Sequence, residues 1–470
     1  MIRNANENKL FFTVQLIIDY LIIVVGFVIA YSVATGELGF AKFSFEEVIA
    51  IVTVFSFIVF SIYKPYYCGK KKYLDSMYNS ILSIILIHVV VITLGYIFKR
   101  TKIPNGVFLY SILFSTVAFA VQKKIMFILY QKIHIKEKSI VIGTTEDKEM
   151  ISIKLIKHLD HLYDVKYILD SEILRKKMLM KYIDKTETVF ISNMVDSELK
   201  GDIIKHCYMQ NKEAFAIPTT LAIFNNTAVF TTLDDIPVFS FSNKISTEEM
   251  ILKRVVDIVL SVIGLVVLSP VMVASIIAVK IQDGGSVFFK QTRLTKNNKK
   301  FEMIKFRTMV ENAEASTGPV FADENDSRIT RVGKILRMTR IDELPQLVNV
   351  LKGEMSIVGP RPERPEIAEK FIKEYDEFKF RTKFKAGITG LAQVRGKYNT
   401  ALKDKLIYDL YYINNYSIFL DIQIMFYTLK VIFMKSSSEG LKKADSLEDT
   451  AKKNDFDVKI YESGVIEVVK

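Results

Sequence analysis

Long apolar blocks crowd the first 135 residues: Leu10 to Val33, Phe45 to Tyr63, Tyr78 to Phe98 and Val107 to Tyr130. Each approaches the roughly 20 residues a helix needs to cross a bilayer core, so the pattern predicts four spanning helices. The first is too long in its apolar core for a cleaved signal peptide and lacks a small-x-small cleavage pattern. Positive charge orients the bundle. Lys64, Lys70, Lys71 and Lys72 follow the second block, and Lys123, Lys124, Lys132, Lys136 and Lys138 close the fourth. The first loop holds Glu37, Glu46 and Glu47 against Lys42, which places both ends of the bundle in the cytoplasm. The loop with Lys99, Arg100 and Lys102 dissents from that orientation. Asp19, inside the first block, reads either as a functional charge or as a partner for a polar group on a neighbouring helix.

From Ser139 the pattern changes to short apolar runs alternating with charged helical stretches. The runs SIVIG, VKYIL, ETVFIS and EAFAIP are separated by predicted helices at Asp147 to Leu159, around Ser171 to Met180 and around Asp196 to Gln210. Such alternation predicts a parallel sheet with helices on its faces, a Rossmann-like α/β domain. Its first turn, Ile142-Gly143-Thr144-Thr145-Glu146, has one glycine where a dinucleotide fingerprint needs three. A regulatory or scaffolding sheet is therefore favoured over a nucleotide site.

Ile258 to Val279 is a fifth apolar run, but basic residues flank both ends: Lys253 and Arg254 before it, Lys280, Lys290 and Arg293 after it. Two positive flanks put both ends on the cytoplasmic face. Pro270 lacks an amide hydrogen and clashes with the carbonyl four residues back, and Ser269 can bond a freed backbone group. The segment 255–281 therefore reads as a re-entrant helix-break-helix, with a kinked spanning helix as the alternative. Asp257 is spaced to pair with Lys253 or Arg254 on one helix face.

Composition adds a mean hydropathy of +0.22 and a formal charge of +12. The charge suits an anionic partner; lying beside membrane segments and without a recognition motif, it argues against nucleic acid. Cys68 and Cys207 form no metal or disulfide pattern. From Phe288 to Pro362 the chain is dense in Arg, Lys and acids. Arg331, Lys334, Arg337 and Arg340 recur at steps of three, a row that drifts around a helix and makes no flat basic face. Lys305 and Arg307 share one side of a strand if that stretch is extended, with Phe306 opposite. Asp342 and Glu343 stand before a Pro-initiated helix, where the surrounding cations would hold them ionised. An ionised Asp can attack phosphorus or hold Mg²⁺, and an Asp-Glu pair can equally cap a helix. Arg361 is locked between Pro360 and Pro362, which presents its guanidinium rigidly for phosphate or simply forms a turn.

The linked motifs KFRTM, DENDSRITRVGKILRMTRIDELPQLVNVLKGEMSIVGPRPERPE and YDLYYINNYSIFLDI resemble the bacterial sugar transferases, monotopic polyprenyl-phosphate sugar-1-phosphate transferases, over roughly Glu249 to Phe433. The four leading helices and the sheet resemble the long members that initiate exopolysaccharide or capsule repeat units. The resemblance implies Asp342 as nucleophile, Glu343 as its catalytic partner, Mg²⁺ at this dyad, and Ser269-Pro270 as the break of a re-entrant helix. It implies transfer of a sugar 1-phosphate from a UDP-sugar to undecaprenyl phosphate at the inner leaflet of the cell membrane, releasing UMP. Lys305, Arg307, Arg340 and Arg361 are the candidates for phosphate binding. One motif departs from the family pattern: Thr295 and Asn298 stand where relatives usually carry glycine.

The expected architecture is a transmembrane bundle at 1–135, a Rossmann-like cytosolic domain at 136–245, a mainly α catalytic domain at 246–435 and a C-terminal tail at 436–470. In the tail, Val458 to Val469 suggests a small hairpin. A homodimer through the membrane bundle is a further expectation. The rival reading is a non-catalytic membrane scaffold that recruits polysaccharide-assembly enzymes.

Overall fold

The computed structural model describes residues 5–36, 45–65, 73–97, 105–133, 136–225, 228–233, 236–241, 246–310, 326, 328–396, 400–433, 446–454, 456–461 and 465–469. The loops with Lys42, Lys70 to Lys72, and Lys99 to Lys102, and Cys68, lie outside the described residues. The chain forms two compact units, Met1–Ile217 with Ala444–Lys470, and Pro218–Lys443.

The first unit begins with α1 (Ala5–Thr35), α2 (Phe45–Tyr63), α3 (Tyr73–Ile97) and α4 (Asn105–Ile133). In α1, α3 and α4 the apolar stretches Phe11–Ala34, Tyr73–Leu94 and Gly106–Lys132 are long enough to cross a membrane; that of α2 is shorter, Ile49–Tyr63. The bundle exposes apolar side chains and buries polar ones such as Gln15, Ser83 and Ser115 within an apolar interior, unlike a water-soluble protein. Leu109, Leu113, Val117 and Val121 form an exposed stripe on α4. Within, Asn79 donates to Tyr63 O at 2.7 Å and His88 Nε2 lies 3.0 Å from Ser111 Oγ. Such an arrangement fits lipid as the outer solvent. Asp19 is fully buried against Lys123 of α4 at 2.5 Å. Lys123 is thus not among the charges at the cytoplasmic face; it neutralises a carboxylate that lipid could not solvate.

Next come β1 (Glu137–Gly143), α5 (Thr145–His158), β2 (Tyr163–Asp170), α6 (Lys176–Asp184), β3 (Thr188–Ile191), α7 (Ser197–Met209) and β4 (Glu213–Ala216). β1 pairs in parallel with β2 and β3, and β3 with β4. Alternation along β1 divides the core: Ile140 and Ile142 pack with Leu179, Ile183 and Ile203 on one face, whereas Val141 packs with Leu155 and Ile156 on the other. α6 starts at Lys176, later than the pattern predicts. Asp170 causes the delay, because its carboxylate accepts from Glu172 N at 3.0 Å and Ser171 N bonds Gly143 O, which holds the chain in a turn. The same carboxylate is buried and paired with Lys148 at 2.6 Å.

The second unit contains α8 (Thr220–Asn225), the antiparallel pair β5 (Ala228–Leu233) and β6 (Ile236–Phe241), then α9 (Thr247–Val267) and α10 (Ser269–Asp283). β7 (Phe288–Leu294) and β8 (Lys300–Phe306) form a hairpin. There follow α11 (Arg331–Met338), a 3₁₀ turn at Ile341–Glu343, α12 (Gln346–Lys352), β9 (Ser356–Val358), α13 (Pro365–Glu374), β10 (Gly387–Thr389), α14 (Leu391–Arg395), α15 (Leu402–Asn414) and α16 (Ile418–Phe433). Beyond it α17 (Leu447–Lys453), β11 (Asp457–Ile460) and β12 (Val465–Val469) belong to the first unit. The hairpin expected at Val458 to Val469 forms, and β12 lies antiparallel to β2, extending the sheet to the order β11-β12-β2-β1-β3-β4.

α9 and α10 meet at a bend of 61°. Pro270 lies in the first turn of α10, and Ser269 Oγ donates to Val266 O at 2.7 Å, the very carbonyl that the proline ring displaces. The buried positions of α9 are Lys253, Asp257 and Ser261, a polar stripe, while Val259, Val262, Ile263, Val266 and Val267 are exposed. This bent, outwardly apolar pair has the form of a re-entrant membrane element.

Candidate active site

The polar stripe of α9 does not pair along the helix as its spacing suggested. Lys253 Nζ reaches Asp421 of α16 at 2.6 Å and Val358 O at 3.0 Å. Arg254 donates to Val350 O at 2.6 Å and Leu351 O at 2.8 Å. Asp257 Oδ1 accepts from Ser356 Oγ and Ile357 N, both at 3.0 Å. An exposed pair four residues apart is worth only about 0.3–0.5 kcal/mol, whereas open carbonyls at the end of α12 and a buried carboxylate in α16 need partners. The membrane element is thereby tied to β9, which leads directly to Arg361.

The backbone around Arg361 is pinned at four consecutive carbonyls. Pro360 O accepts from Gly387 N, and Glu363 O from Leu294 N. Arg361 O accepts from Arg381 Nη2 at 3.0 Å and Pro362 O from Arg293 Nη1 at 3.1 Å. The prolines supply no competing donors, so a short irregular segment acquires a fixed path. Arg381 is itself held by buried Asp409 at 2.7 Å and stacks over Phe378 at 4.4 Å. Burial raises the Asp409 carboxyl above its ordinary range. Arg361 also borders a cleft of about 390 Å³ shared with Thr295, Asn298, Glu363 and Lys379.

Three cations converge on one carboxylate oxygen. Lys305 Nζ lies 2.9 Å from Glu343 Oε1, Arg361 Nη2 3.2 Å and Arg340 Nη1 3.9 Å. Arg340 enters the 3₁₀ turn with a left-handed φ of 58°, an uncommon conformation for a residue with a Cβ. Burial alone would raise the Glu343 pKa, but Lys305, Arg361 and Arg340 together hold it well below the carboxylate range. Asp342, beside it, receives no such bond: it is 8% exposed and its Oδ1 has no partner. Burial, and next the negative charge of Glu343, push the Asp342 carboxyl up to about 6, against the pull of Lys305, Arg340 and Arg337. The sequence suggested that the cations would hold both acids ionised; instead they attach to Glu343 and leave Asp342 more basic. Burial pulls the Lys305 pKa down, and the Glu343 charge raises that of Arg361.

Arg307 is not part of this convergence. One residue past β8, its guanidinium is buried against Asp283 at the end of α10. The step-of-three cations diverge likewise: Arg337 Nε donates to Thr308 Oγ1 at 2.8 Å while Arg331 and Lys334 stay exposed. Thr295 and Asn298 are accommodated differently. Asn298 has φ of 57°, a conformation asparagine tolerates better than most residues. Thr295 is extended, and its hydroxyl donates to Glu354 O at 2.7 Å.

The family model of the bacterial sugar transferases matches residues 248–435. An exopolysaccharide production protein of Rhizobium leguminosarum bv. phaseoli is 40% identical over 192 residues, 38% of this chain and 94% of that protein. The chain belongs to the bacterial sugar transferase family. Among longer family members, the UDP-N-acetylgalactosamine-undecaprenyl-phosphate N-acetylgalactosaminephosphotransferase of Aeromonas hydrophila is 43% identical over 184 residues, 38% of this chain and 43% of that protein. The UDP-glucose:undecaprenyl-phosphate glucose-1-phosphate transferase of Klebsiella pneumoniae is 35% identical over 272 residues, 53% of this chain and 58% of that protein. The chain thus spans about half the length of these two sugar transferases.

Among the described residues no group of three or more His, Cys, Asp or Glu could hold a metal. Mg²⁺ commonly needs only one or two carboxylates, with water and substrate phosphates completing its shell. The unpartnered Oδ1 of Asp342 has the chemistry for that role, whereas Glu343 Oε1 is already shared among cations.

Proposed function

We propose that this sugar transferase moves a sugar 1-phosphate from a UDP-sugar to undecaprenyl phosphate, releasing UMP, as the first step of exopolysaccharide or capsule repeat-unit synthesis. The observation that carries this is the division of labour in the dyad: Asp342 buried and unbonded at Oδ1, Glu343 neutralised by Lys305, Arg340 and Arg361. The names of the relatives from Aeromonas hydrophila and Klebsiella pneumoniae support the same reaction class.

In this mechanism the Asp342 carboxylate attacks the sugar-bearing phosphorus. An oxygen–phosphorus bond forms, and the bond from that phosphorus to the bridging oxygen breaks, its electron pair leaving with UMP. An oxygen of the lipid phosphate then attacks the aspartyl phosphosugar, and the bond to Asp342 breaks to restore the carboxylate. The raised pKa suits the first step, since a more basic carboxylate is the better nucleophile and is still mostly ionised at neutral pH. Lys305 and Arg361 stabilise charge on the phosphoryl oxygens, and Glu343 fixes both cations in place. Mg²⁺ held at Asp342, with Glu343 adjacent, would supply charge neutralisation on the diphosphate when bound. A covalent relay lets the water-soluble donor and the lipid acceptor bind in turn. The α9–α10 pair would hold the dyad at headgroup height.

The test is UMP release by purified protein in nanodiscs with Mg²⁺, across a panel of UDP-sugars, with and without undecaprenyl phosphate. Sustained release that depends on lipid and on one sugar is expected. Turnover by Asp342→Asn close to that of the unaltered protein would refute the nucleophile assignment.

A further inference from the structure

Two of the cations that recur at steps of three stay clear of the dyad. Arg331 and Lys334 of α11 are exposed, and so are Ile335 at 58% and Met338 at 62%. These four stand at i, i+3, i+4 and i+7 and therefore share one face of the helix. The opposite side is fixed by its contacts. Leu336 belongs to a buried cluster with Val279 of α10 and Phe306 of β8, and Arg337 Nε donates to Thr308 Oγ1 at 2.8 Å. The level of α11 beside the membrane element is fixed as well. Val332 N donates to Gln282 Oε1 at 3.1 Å, and Gln282 lies in the last turn of α10, where the re-entrant pair leaves the bilayer. Ile281 of that turn is 79% exposed. A helix of eight residues is only about 12 Å long, so α11 stays near the headgroups along its whole length.

A lone exposed apolar side chain is ordinary on a solvated face. Two of them interleaved with two long cations at headgroup level match an interfacial helix, whose apolar groups enter the acyl boundary while Arg and Lys reach back to phosphate. α11 itself carries no carboxylate to answer either cation, so the face is positive and complements an anionic surface. We propose that the outward face of α11 docks on anionic lipid headgroups, with Ile335 and Met338 inserted beside α10 and Arg331 and Lys334 on the lipid phosphates. Met338 ends α11 and the 3₁₀ turn of the dyad starts at Ile341, so the contact anchors the chain entering the dyad to the membrane surface. This rests on α10 entering the bilayer and is independent of the roles of Asp342 and Glu343.

The experiment uses the full-length protein with Cys68 and Cys207 replaced by alanine and a bimane fluorophore attached at Met338→Cys or, in a second preparation, at Ile335→Cys. Labelled protein is placed in nanodiscs of phosphatidylcholine, alone or mixed with phosphatidylglycerol. Acrylamide quenches from water, and a lipid spin-labelled at its headgroup quenches from the interface. A label at Val259→Cys, on the exposed side of α9, reports whether the re-entrant pair is in lipid. In mixed discs both α11 labels should be quenched by the lipid and shielded from acrylamide. The ratio of lipid to acrylamide quenching should fall several-fold in pure phosphatidylcholine, in the Arg331→Gln, Lys334→Gln double variant, and at about 1 M salt, where the screening length is about 3 Å. Labels open to acrylamide in every disc would make α11 an ordinary solvated helix and overturn the docking. Labels shielded from both quenchers would mean that another stretch of chain or a second copy covers the face, which overturns it equally. Lipid quenching that ignores phosphatidylglycerol, the two cations and salt would refute the anionic partner. Absence of lipid quenching at Val259→Cys would instead refute the membrane placement of α9 and α10 on which the docking stands.

Discussion

Asp342→Asn removes a charge that the fold itself disfavours, so the variant should gain stability as it loses activity. The Asp342 carboxyl is raised from 3.8 to about 6, chiefly by burial and then by Glu343. That shift, at 1.36 kcal/mol per unit, corresponds to about 3 kcal/mol. The sign follows from proton binding. Between pH 4 and 6 the unfolded carboxyl ionises while the folded one keeps its proton, so folding becomes less favourable as pH rises. Above about 6 both forms are ionised and the penalty is complete. Asparagine has nearly the same volume and does not titrate. The variant should therefore match the unaltered protein near pH 4, gain through pH 5 and 6, and hold a constant advantage above 7. Denaturant titration in mixed micelles, followed by far-ultraviolet circular dichroism at pH 4.5, 6.0 and 7.5, measures this; the chain has no Trp to report by fluorescence. A difference that does not change with pH, or a variant less stable at every pH, would refute burial and Glu343 as the cause of the raised Asp342 pKa.

The same raised pKa places the acid limb of turnover near pH 6: rates should fall about tenfold per unit below it as the nucleophile becomes protonated, and a limb near pH 4 would contradict this. Arg361→Lys keeps the charge but not the fork, so kcat should fall by about ten- to a hundredfold with little change in the unfolding midpoint. Lys253→Met strands the Asp421 carboxylate, which burial already raises above its ordinary range. That variant should lose about 3–5 kcal/mol, and pairing it with Asp421→Leu should restore most of the loss in the same titration. Ending the chain before Ser446 should make residues 136–217 markedly more sensitive to protease, with cleavage mapped by mass spectrometry.

Elements whose signal is local were legible in the sequence. The apolar blocks became α1 to α4, the alternation after Ser139 became the sheet, and Ser269-Pro270 became a bend with the freed carbonyl bonded as its chemistry suggests. What escaped was long-range pairing. Lys253 finds Asp421 168 residues away, and Asp19 finds Lys123 104 residues away; no periodicity encodes either. Arg307 finds Asp283, 24 residues away, a pairing that strand alternation does not encode. Arg381 and Asp409 carry no local signal because their work, holding the carbonyl of Arg361, depends on a loop path visible only once folded.

The C-terminal hairpin makes the sheet discontinuous in time as well as in sequence. β2 is complete at Asp170, but the strand that covers its outer edge begins at Val465. Roughly 300 residues must be translated between them, about 15–60 s at the usual pace of synthesis. Throughout that interval the edge carrying Tyr167, Ile168 and Leu169 has no neighbour. An open strand edge is a template for any extended chain. Neighbouring ribosomes on one message would hold many such edges close together. Delayed completion of the last residues therefore exposes nascent copies to joining one another through β2, long after the strand itself was made.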